Sequence, residues 1–462
     1  MPAKNSKKEE ELAEKTKKLS IKEGVAYSVM DGAGIRYLTP YALAIGASNA
    51  QIGFLTSIPS LLGNFSQLVS SKFMEKFSRK KIIVISVLFQ ALMWLPIIAL
   101  GYWFFYKNVN NGLSANLLIL FYSALIIFGA FASPAWHSLM RDNVGKGRGH
   151  YFSKRNRIIG ASSLVIMLAS GLILNYFEKS NLVFIGFAII FGMAFASRLI
   201  STYFLSKHYD PEFRLNPKLY FNLWEFIKGI PRSNFGKFSL FISLVMLATY
   251  IVSPFFAVYI LRDLGYSYAV WAIIIISSSL SSFLFLPLWG KFSDRFGNLK
   301  VLRITGAITP LVPLAWFVTF FLAKINPSVV LPYLLCTEFI SGFVWAGFNL
   351  SAVNFIYDAV TRPKIGLCVA YYSILNGTGI FIGATLGGIL ASLNISFLGL
   401  TPILFVMLVS GIARLLVYFF MIPRIKEVRE VEPYHDGELR KEIIQQVLHA
   451  SGKITNPRNT LY

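Results

Sequence analysis

The sequence predicts an all-α membrane protein whose twelve transmembrane helices form two pseudo-symmetric six-helix bundles. Three observations carry that prediction. The 462 residues are 55% hydrophobic and only 14% charged, against about a quarter charged in ordinary soluble chains, and their uncharged runs are long enough to cross a bilayer. The basic residues fall almost wholly on one side of those runs. The chain also repeats its own polar landmarks halfway along.

Residues 82–105 carry no charge over 24 positions, enough helix, at about 1.5 Å per residue, to cross a core of about 30 Å. The 49 uncharged positions of 365–413 exceed one crossing, so they fold back, at LNISFLGLTP. Residues 37–71 divide in the same way at GASNAQ. The spans read as 22–46, 51–72, 82–105, 115–140, 157–176, 181–205, 239–264, 269–290, 301–323, 330–357, 366–393 and 399–422. They set out an N-terminal tail (1–21), a first bundle (22–205), a connector (206–238), a second bundle (239–422) and a C-terminal tail (423–462). In the connector, Leu219, Leu223, Phe226, Ile227 and Ile230 follow a helical stripe, which predicts an amphipathic helix along the membrane surface. Residues 438–450 form a weaker one, and 4–18 a charged tail, helical or disordered.

A net charge of +22 suggests nucleic acid until its placement is read. Of 44 Lys and Arg, four (Lys107, Lys179, Arg262, Lys324) face the side opposite the termini and three (Arg36, Arg198, Arg414) lie within spans away from their ends. This asymmetry predicts a cell-membrane protein with both termini cytoplasmic, its basic excess facing anionic lipid rather than nucleic acid. The first 20 residues are charged and lack the apolar core of a cleavable signal. Cys336 and Cys368 lie in or beside apolar spans, a placement that favours neither a disulfide framework nor a zinc site.

The repeat is clearest in two polar loops. Gly290, Asp294, Arg295, Gly297 and Lys300 line up with Ser71, Glu75, Lys76, Ser78 and Lys81 at an offset of 219. Thr39-Pro40-Tyr41 recurs as Ser253-Pro254-Phe255, Asp142-x-Val144 as Asp358-x-Val360, and Arg198-Leu199 as Arg414-Leu415. Tyr151-Phe152-Ser153-x-x-Asn156 returns as Tyr371-Tyr372-Ser373-x-x-Asn376. Six spans per copy is an even number, so the copies share one orientation, related by an axis along the membrane normal. Small residues at 290 and 297 would let helices approach closely around a tight turn. Lys72, Arg79, Lys80 and Lys81 read as a basic turn that sets topology.

Gly290-x-x-x-Asp294-Arg295-x-Gly297-x-x-Lys300, between spans 8 and 9, resembles the signature cytoplasmic loop of the major facilitator superfamily, with a degenerate partner between spans 2 and 3. The resemblance covers residues 22–422, and 134–156 and 348–360 resemble stretches of bacterial and archaeal members whose cargo is unassigned. It implies a central cavity, lined mainly by spans 1, 4, 7 and 10, that opens alternately to either side. It also implies a gate at Gly290, Asp294, Arg295, Gly297, Glu75 and Lys76, in which Asp294 and Glu75 latch the cytoplasmic face. Glu75 and Ser78 depart from the family's Asp and Gly.

Charge inside a bilayer is costly, about 2.5–3.5 kcal/mol on insertion scales, so intramembrane ionisable residues are candidate sites. Span 1 carries Asp31 and Arg36, about 13 and 21 Å from an entry near Lys22, and Glu338 lies about 15 Å into span 10. Arg36 and Glu338 are candidate partners across the cavity, Arg36 for an anionic group and Glu338 or Asp31 for a proton. Asp31 and Arg36 stand about 140° apart on an intact helix, out of reach of each other unless Gly32 and Gly34 loosen it. Each of the three has a static structural role as its alternative. Asn349 in span 10 is a candidate ligand, while Asn64, Gln67 and Asn376 suit interhelical hydrogen bonds. Arg198 and Arg414 lie within snorkelling reach of an interface, and His137 reads as an interfacial histidine. Pro40 and Pro254 would kink spans 1 and 7.

These features predict a secondary transporter that moves a small solute, an organic anion or an exported drug-like compound, by alternating access, with protons as a candidate coupling ion. The sequence has no G-x-x-x-x-G-K-[ST] loop, and no cofactor or metal is expected. Small molecule, proton and lipid are the expected partners, and nucleic acid is not. A transporter-like sensor or lipid-handling protein remains the alternative; a membrane enzyme lacks a catalytic cluster, since the five histidines are scattered.

Overall fold

The computed structural model describes residues 2–107, 110–145, 148–211, 223–360, 365–393 and 401–433, and every regular element among them is helical. Span 1 comprises an α-helix Pro2–Val29, a π-helical turn Met30–Gly34, a 3-10 turn Ile35–Tyr37 and an α-helix Leu38–Ala44. Spans 2 to 6 are Asn49–Phe73, Arg79–Leu92 with Trp94–Lys107, Asn111–Val144, Arg148–Lys179 and Val183–Ser206. A short helix, Leu223–Gly229, precedes span 7, which runs as Asn234–Tyr250, Phe255–Val258 and a π-helical turn Tyr259–Asp263. Spans 8 to 12 are Tyr268–Phe296, Asn298–Ile308 with Leu311–Ile325, Val330–Ala359, Ile365–Ser392 and Pro402–Met421.

Ten of these helices are long and apolar enough to cross a membrane. Spans 1 and 2 complete two sets of six; they are less apolar because span 1 carries Asp31 and Arg36 and span 2 carries Thr56, Ser60, Asn64 and Gln67. Spans 3, 4 and 5 outrun the expected windows at their charged ends. Hydropathy marks where lipid stops, whereas a helix stops at a cap. Ser78 Oγ accepts the Lys81 N–H at 3.3 Å, Asn110 Oδ1 accepts the Gly112 N–H at 2.7 Å, and Ser48 with Gln51 closes a capping box. The connector's stripe is described only from Leu223 onward, where Phe226 and Ile230 are buried. The turn at 394–400 and the tail helix at 438–450 lie outside the described residues.

The chain divides into two compact units. The first is Met1–Tyr220 with Met246–Ile276 and Ala370–Ser410. Within it the Tyr37 hydroxyl donates to the Met167 carbonyl at 2.6 Å, the Tyr41 hydroxyl to that of Ile97 at 2.9 Å, and Ser70 Oγ to that of Phe131 at 2.6 Å. Spans 2 and 11 meet at the end remote from the first turn of span 1, where a side chain on Gly53 would stand 2.6 Å from the Ala384 carbonyl and 2.8 Å from Gly388 Cα. Asn49 bridges there from Ala391 O (2.6 Å) to Arg262 (2.9 Å).

The second unit is Phe221–Val245, Ser277–Val369 and Gly411–Tyr462. Spans 7 and 10 stack Phe238 on Phe355 with ring centres 4.3 Å apart, and Trp289 of span 8 donates to the Phe343 carbonyl of span 10 at 2.8 Å.

The repeat reaches the level of single hydrogen bonds. Arg198 of span 6 donates to Gln90 Oε1 of span 3 at 2.8 Å, and Arg414 of span 12 donates to the Thr309 carbonyl of span 9 at 3.0 Å. Gln90 and Thr309 are related by the same offset as the two polar loops. Snorkelling, expected for both arginines, does not occur: they are 6% and 2% exposed. Each finds acceptors inside its own helix set, so its charge has no reason to reach for the interface.

Candidate functional site

Span 1 is broken where its charges are. Pro40 has no N–H to give the Arg36 carbonyl and its ring crowds that carbonyl, so regular α-helix cannot run through this turn. Gly32 and Gly34 allow the adjacent turns to press on neighbours, since a Cβ would lie 2.6 Å from the Ser163 carbonyl at Gly32 and 2.5 Å from the Trp94 ring at Gly34. The wider π turn followed by a tight 3-10 turn changes the angle between side chains five apart. Arg36 Nε thereby donates to Asp31 Oδ2 at 3.1 Å, and Ser163 Oγ of span 5 donates to the same oxygen at 2.6 Å. The angular separation expected on an intact helix is removed because the helix is not intact. The side chains of Arg36 and Asp31 remain 34% and 25% exposed, so the pair is reachable rather than sealed.

Beside it lies a cavity of about 290 Å³. Leu38 and Thr39 of span 1, Thr56 and Ser60 of span 2, Tyr122 of span 4 and Tyr250 of span 7 line it. Tyr122 stands within electrostatic reach of Tyr250, Tyr27 and Asp31. The walls therefore combine hydroxyls with aromatic and aliphatic surface, and the Asp31–Arg36 pair supplies the nearby formal charge. Span 7 is also irregular next to this lining, at residues 251–254, where Pro254 repeats Pro40.

The other predicted residues are placed differently. Glu338 is 8% exposed and accepts a hydrogen bond from Trp316 Nε1 at 3.0 Å, with the buried Arg414 as its electrostatic partner. Each of Arg36 and Glu338 thus has a partner within its own unit. Asn349 is exposed, on the side of span 10 that also presents Val353 and Tyr357. Asn64 reaches back along its own helix to the Ser60 carbonyl, 2.8 Å, rather than across to a neighbour. His137 is exposed beside the Trp136 ring.

In the second polar loop the organising group is a glycine. Gly297 has φ +88°, and a Cβ on it would land on Glu427 Oε2, which accepts the Leu299 N–H at 2.7 Å. Gly290 has no such demand, its nearest neighbour being Leu350 Cδ2 at 4.0 Å. Arg295 pairs with Glu432 at 2.6 Å, and Arg429 reaches Asp358 at 3.2 Å and the Ser293 carbonyl at 2.8 Å. Asp294, Glu75 and Lys76 are exposed, with no side-chain hydrogen bond or ion pair among the described residues.

The first loop repeats this scheme with other residues. Arg79 is not a topology-setting surface cation; it is 1% exposed and holds Asp142 at 2.5 Å, Asp210 at 2.9 Å, Ser138 at 3.0 Å and the Pro211 carbonyl at 2.9 Å. Asp210 also accepts the Lys80 N–H at 3.0 Å. Asp210 and Glu427 follow spans 6 and 12 and cap the starts of spans 3 and 9, while Asp142 and Asp358 receive Arg79 and Asn298. Sequence reasoning found the Asp142/Asp358 repeat but missed its partners, which lie far along the chain. His208, 1% exposed just after span 6, has neither ring nitrogen bonded among the described residues. Burial, then the nearby Arg155 and Lys80 charges, push it down to about 4.

A paired charge at a broken helix, aromatic walls and a duplicated six-span frame describe a solute carrier, and comparison with known proteins agrees. A crystal structure of a mutant of the nucleoside transporter NupG has a TM-score of 0.65 at 18% identity, covering 90% of this chain and 100% of that one. A bacterial homologue of the iron transporter ferroportin, inward-facing, also gives 0.65 at 15% identity over 90% and 98%. A bacterial homologue of the human lysosomal transporter Spinster gives 0.60 at 16% over 90% and 96%. At these identities the likeness is one of fold. No curated protein sequence matches the chain. Residues 24–235 and 238–451 each match the Major Facilitator Superfamily, and with both repeats covered the chain belongs to that family of transporters.

Proposed function

We propose that this transporter moves a small organic anion together with a proton by alternating access, using the Asp31–Arg36 pair as its site. The observation that carries the reading is the partly exposed 3.1 Å contact between those two side chains beside an aromatic-walled cavity. A guanidinium at this depth keeps its charge and requires an anion next to it. Asp31 supplies that anion when the site is empty. A proton on Asp31 removes it, and a substrate carboxylate then takes its place in bidentate contact with Arg36. Proton and anion therefore enter as a neutral pair. Glu338 serves Arg414 as a fixed counter-charge, Asn349 remains a candidate ligand, and the two polar loops gate a cytoplasmic face that also bears both termini.

Purified protein in liposomes, offered labelled mono- and dicarboxylates with the outside more acidic than the lumen, tests this. Uptake should be driven by the gradient, Arg36→Gln should abolish it, and Asp31→Asn should keep anion binding while losing its pH dependence. Wild-type uptake in Arg36→Gln would remove the pair from the site. Binding without flux in wild type would favour the sensor reading.

A further inference from the structure

We infer that the first repeat holds a second ligand site, enclosed by spans 1, 3, 4, 5 and 6, that takes a small organic carboxylate with an apolar body. The site is a cavity of about 300 Å³ separate from the one beside Arg36. Its charge is unbalanced. Arg155 and Arg198, 9% and 6% exposed, both point at one carboxylate, that of Glu23, which is 4% exposed. Arg155 Nη2 lies 2.9 Å from Glu23 Oε2 and Arg198 Nη1 3.5 Å from Oε1. The remaining contacts of the two guanidiniums are with neutral groups: Ser20 for Arg155, Gln90 and Ser201 for Arg198. Arg155 Nη1 and Arg198 Nη2 have no hydrogen-bond acceptor among the described residues. Two cations and one anion in a low-dielectric recess leave an excess positive charge, which a bound anion would neutralise.

The walls select the rest of the ligand. Val87 and Leu205 give the cavity an aliphatic side, and the Arg155 guanidinium carbon stands over the Trp136 ring, 4.6 Å from its centre. His137, also in the lining, offers a ring nitrogen as a further donor. A carboxylate head between the two arginines, with a ring or short chain over Trp136 and Val87, satisfies both surfaces. Glu23, Tyr27 and Asp31 recur every four residues along one face of span 1. The second site therefore lies about 12 Å along that helix from the Asp31–Arg36 pair.

Benzoate is the probe, with thermal unfolding of the detergent-purified protein as the first readout and calorimetric titration as the second. Benzoate should still stabilise Arg36→Gln, in which the transport site is silenced, and the further variants are compared in that background. Ser133→Leu, which fills the cavity and leaves every charge in place, should abolish the effect. Glu23→Gln should tighten benzoate binding about tenfold or more, because it removes a like charge from a poorly screened recess. Equal stabilisation in Ser133→Leu, an equal effect of chloride at the same concentration, or loss of the effect in Arg36→Gln would each overturn the proposal.

Discussion

Replacing Gly297 with alanine separates backbone strain from side-chain collision. At φ +88° and ψ 157° the residue occupies a region open to glycine, and another residue there costs about 1–3 kcal/mol. The new Cβ also displaces the Glu427 carboxylate from the Leu299 N–H, and loss of that charge-assisted bond costs about 1.5–3 kcal/mol. Gly297→Ala should therefore destabilise by about 2.5–6 kcal/mol, Glu427→Ala by the second part alone, and the double variant by less than the two added together. Unfolding can be followed with a thiol-reactive dye on the buried Cys368, after Cys336→Ser removes the exposed thiol. Strict additivity would mean that Glu427 does not crowd the glycine. A Gly297→Ala protein that melts with wild type would refute the whole account of the loop.

Other expectations follow from the same geometry. Arg79→Leu leaves Asp142 and Asp210 without their buried partner and should destabilise by about 3–5 kcal/mol, whereas substituting the exposed Lys76 should change little; equal melting of the two variants would contradict this. Gly53→Val drives a side chain into Ala384 and Gly388 and should hold spans 2 and 11 apart, raising labelling of a cysteine placed at Asn49 and lowering transport. His208 is held neutral, with a folded value of about 4 against about 6.5 when exposed, so its contribution is complete above pH 6.5 and falls away toward pH 4. His208→Leu should flatten that acid decline, worth up to about 3 kcal/mol, in melting curves taken between pH 7 and 4.5; an unchanged slope would place the acid sensitivity elsewhere.

Much of the frame was legible because it follows from solvent. Uncharged runs, basic turns and duplicated landmarks each reflect the cost of polar groups in lipid, and that cost acts on sequence directly. The pairing of Asp31 with Arg36 was not legible, because it depends on which turns of span 1 leave α-geometry; Gly32, Gly34 and Pro40 signal a weak helix without saying how it re-forms. The role of Arg79 was hidden for another reason. A basic residue in a polar turn looks like a topology signal, and its partner Asp210 lies 131 residues away with no periodicity to link them. Arg198 and Arg414 were misjudged similarly: distance from a helix end measures access to water only if the side chain has no better acceptor nearby.

The order in which these bonds can form has a consequence for synthesis. Asp210 comes 131 residues after Arg79, and Glu427 comes 128 after Leu299. At about 5–20 residues per second each loop waits roughly 6 to 26 s for the acid that caps it. The first is closed while the ribosome is still making the second half. The second stays open until the final stretch, with the Asp358 carboxylate and the Ser293 carbonyl waiting for Arg429. A chain that terminates shortly after Arg424 would insert its helices normally yet present one unfastened loop, a mark by which membrane proteases could tell an unfinished copy from a finished one.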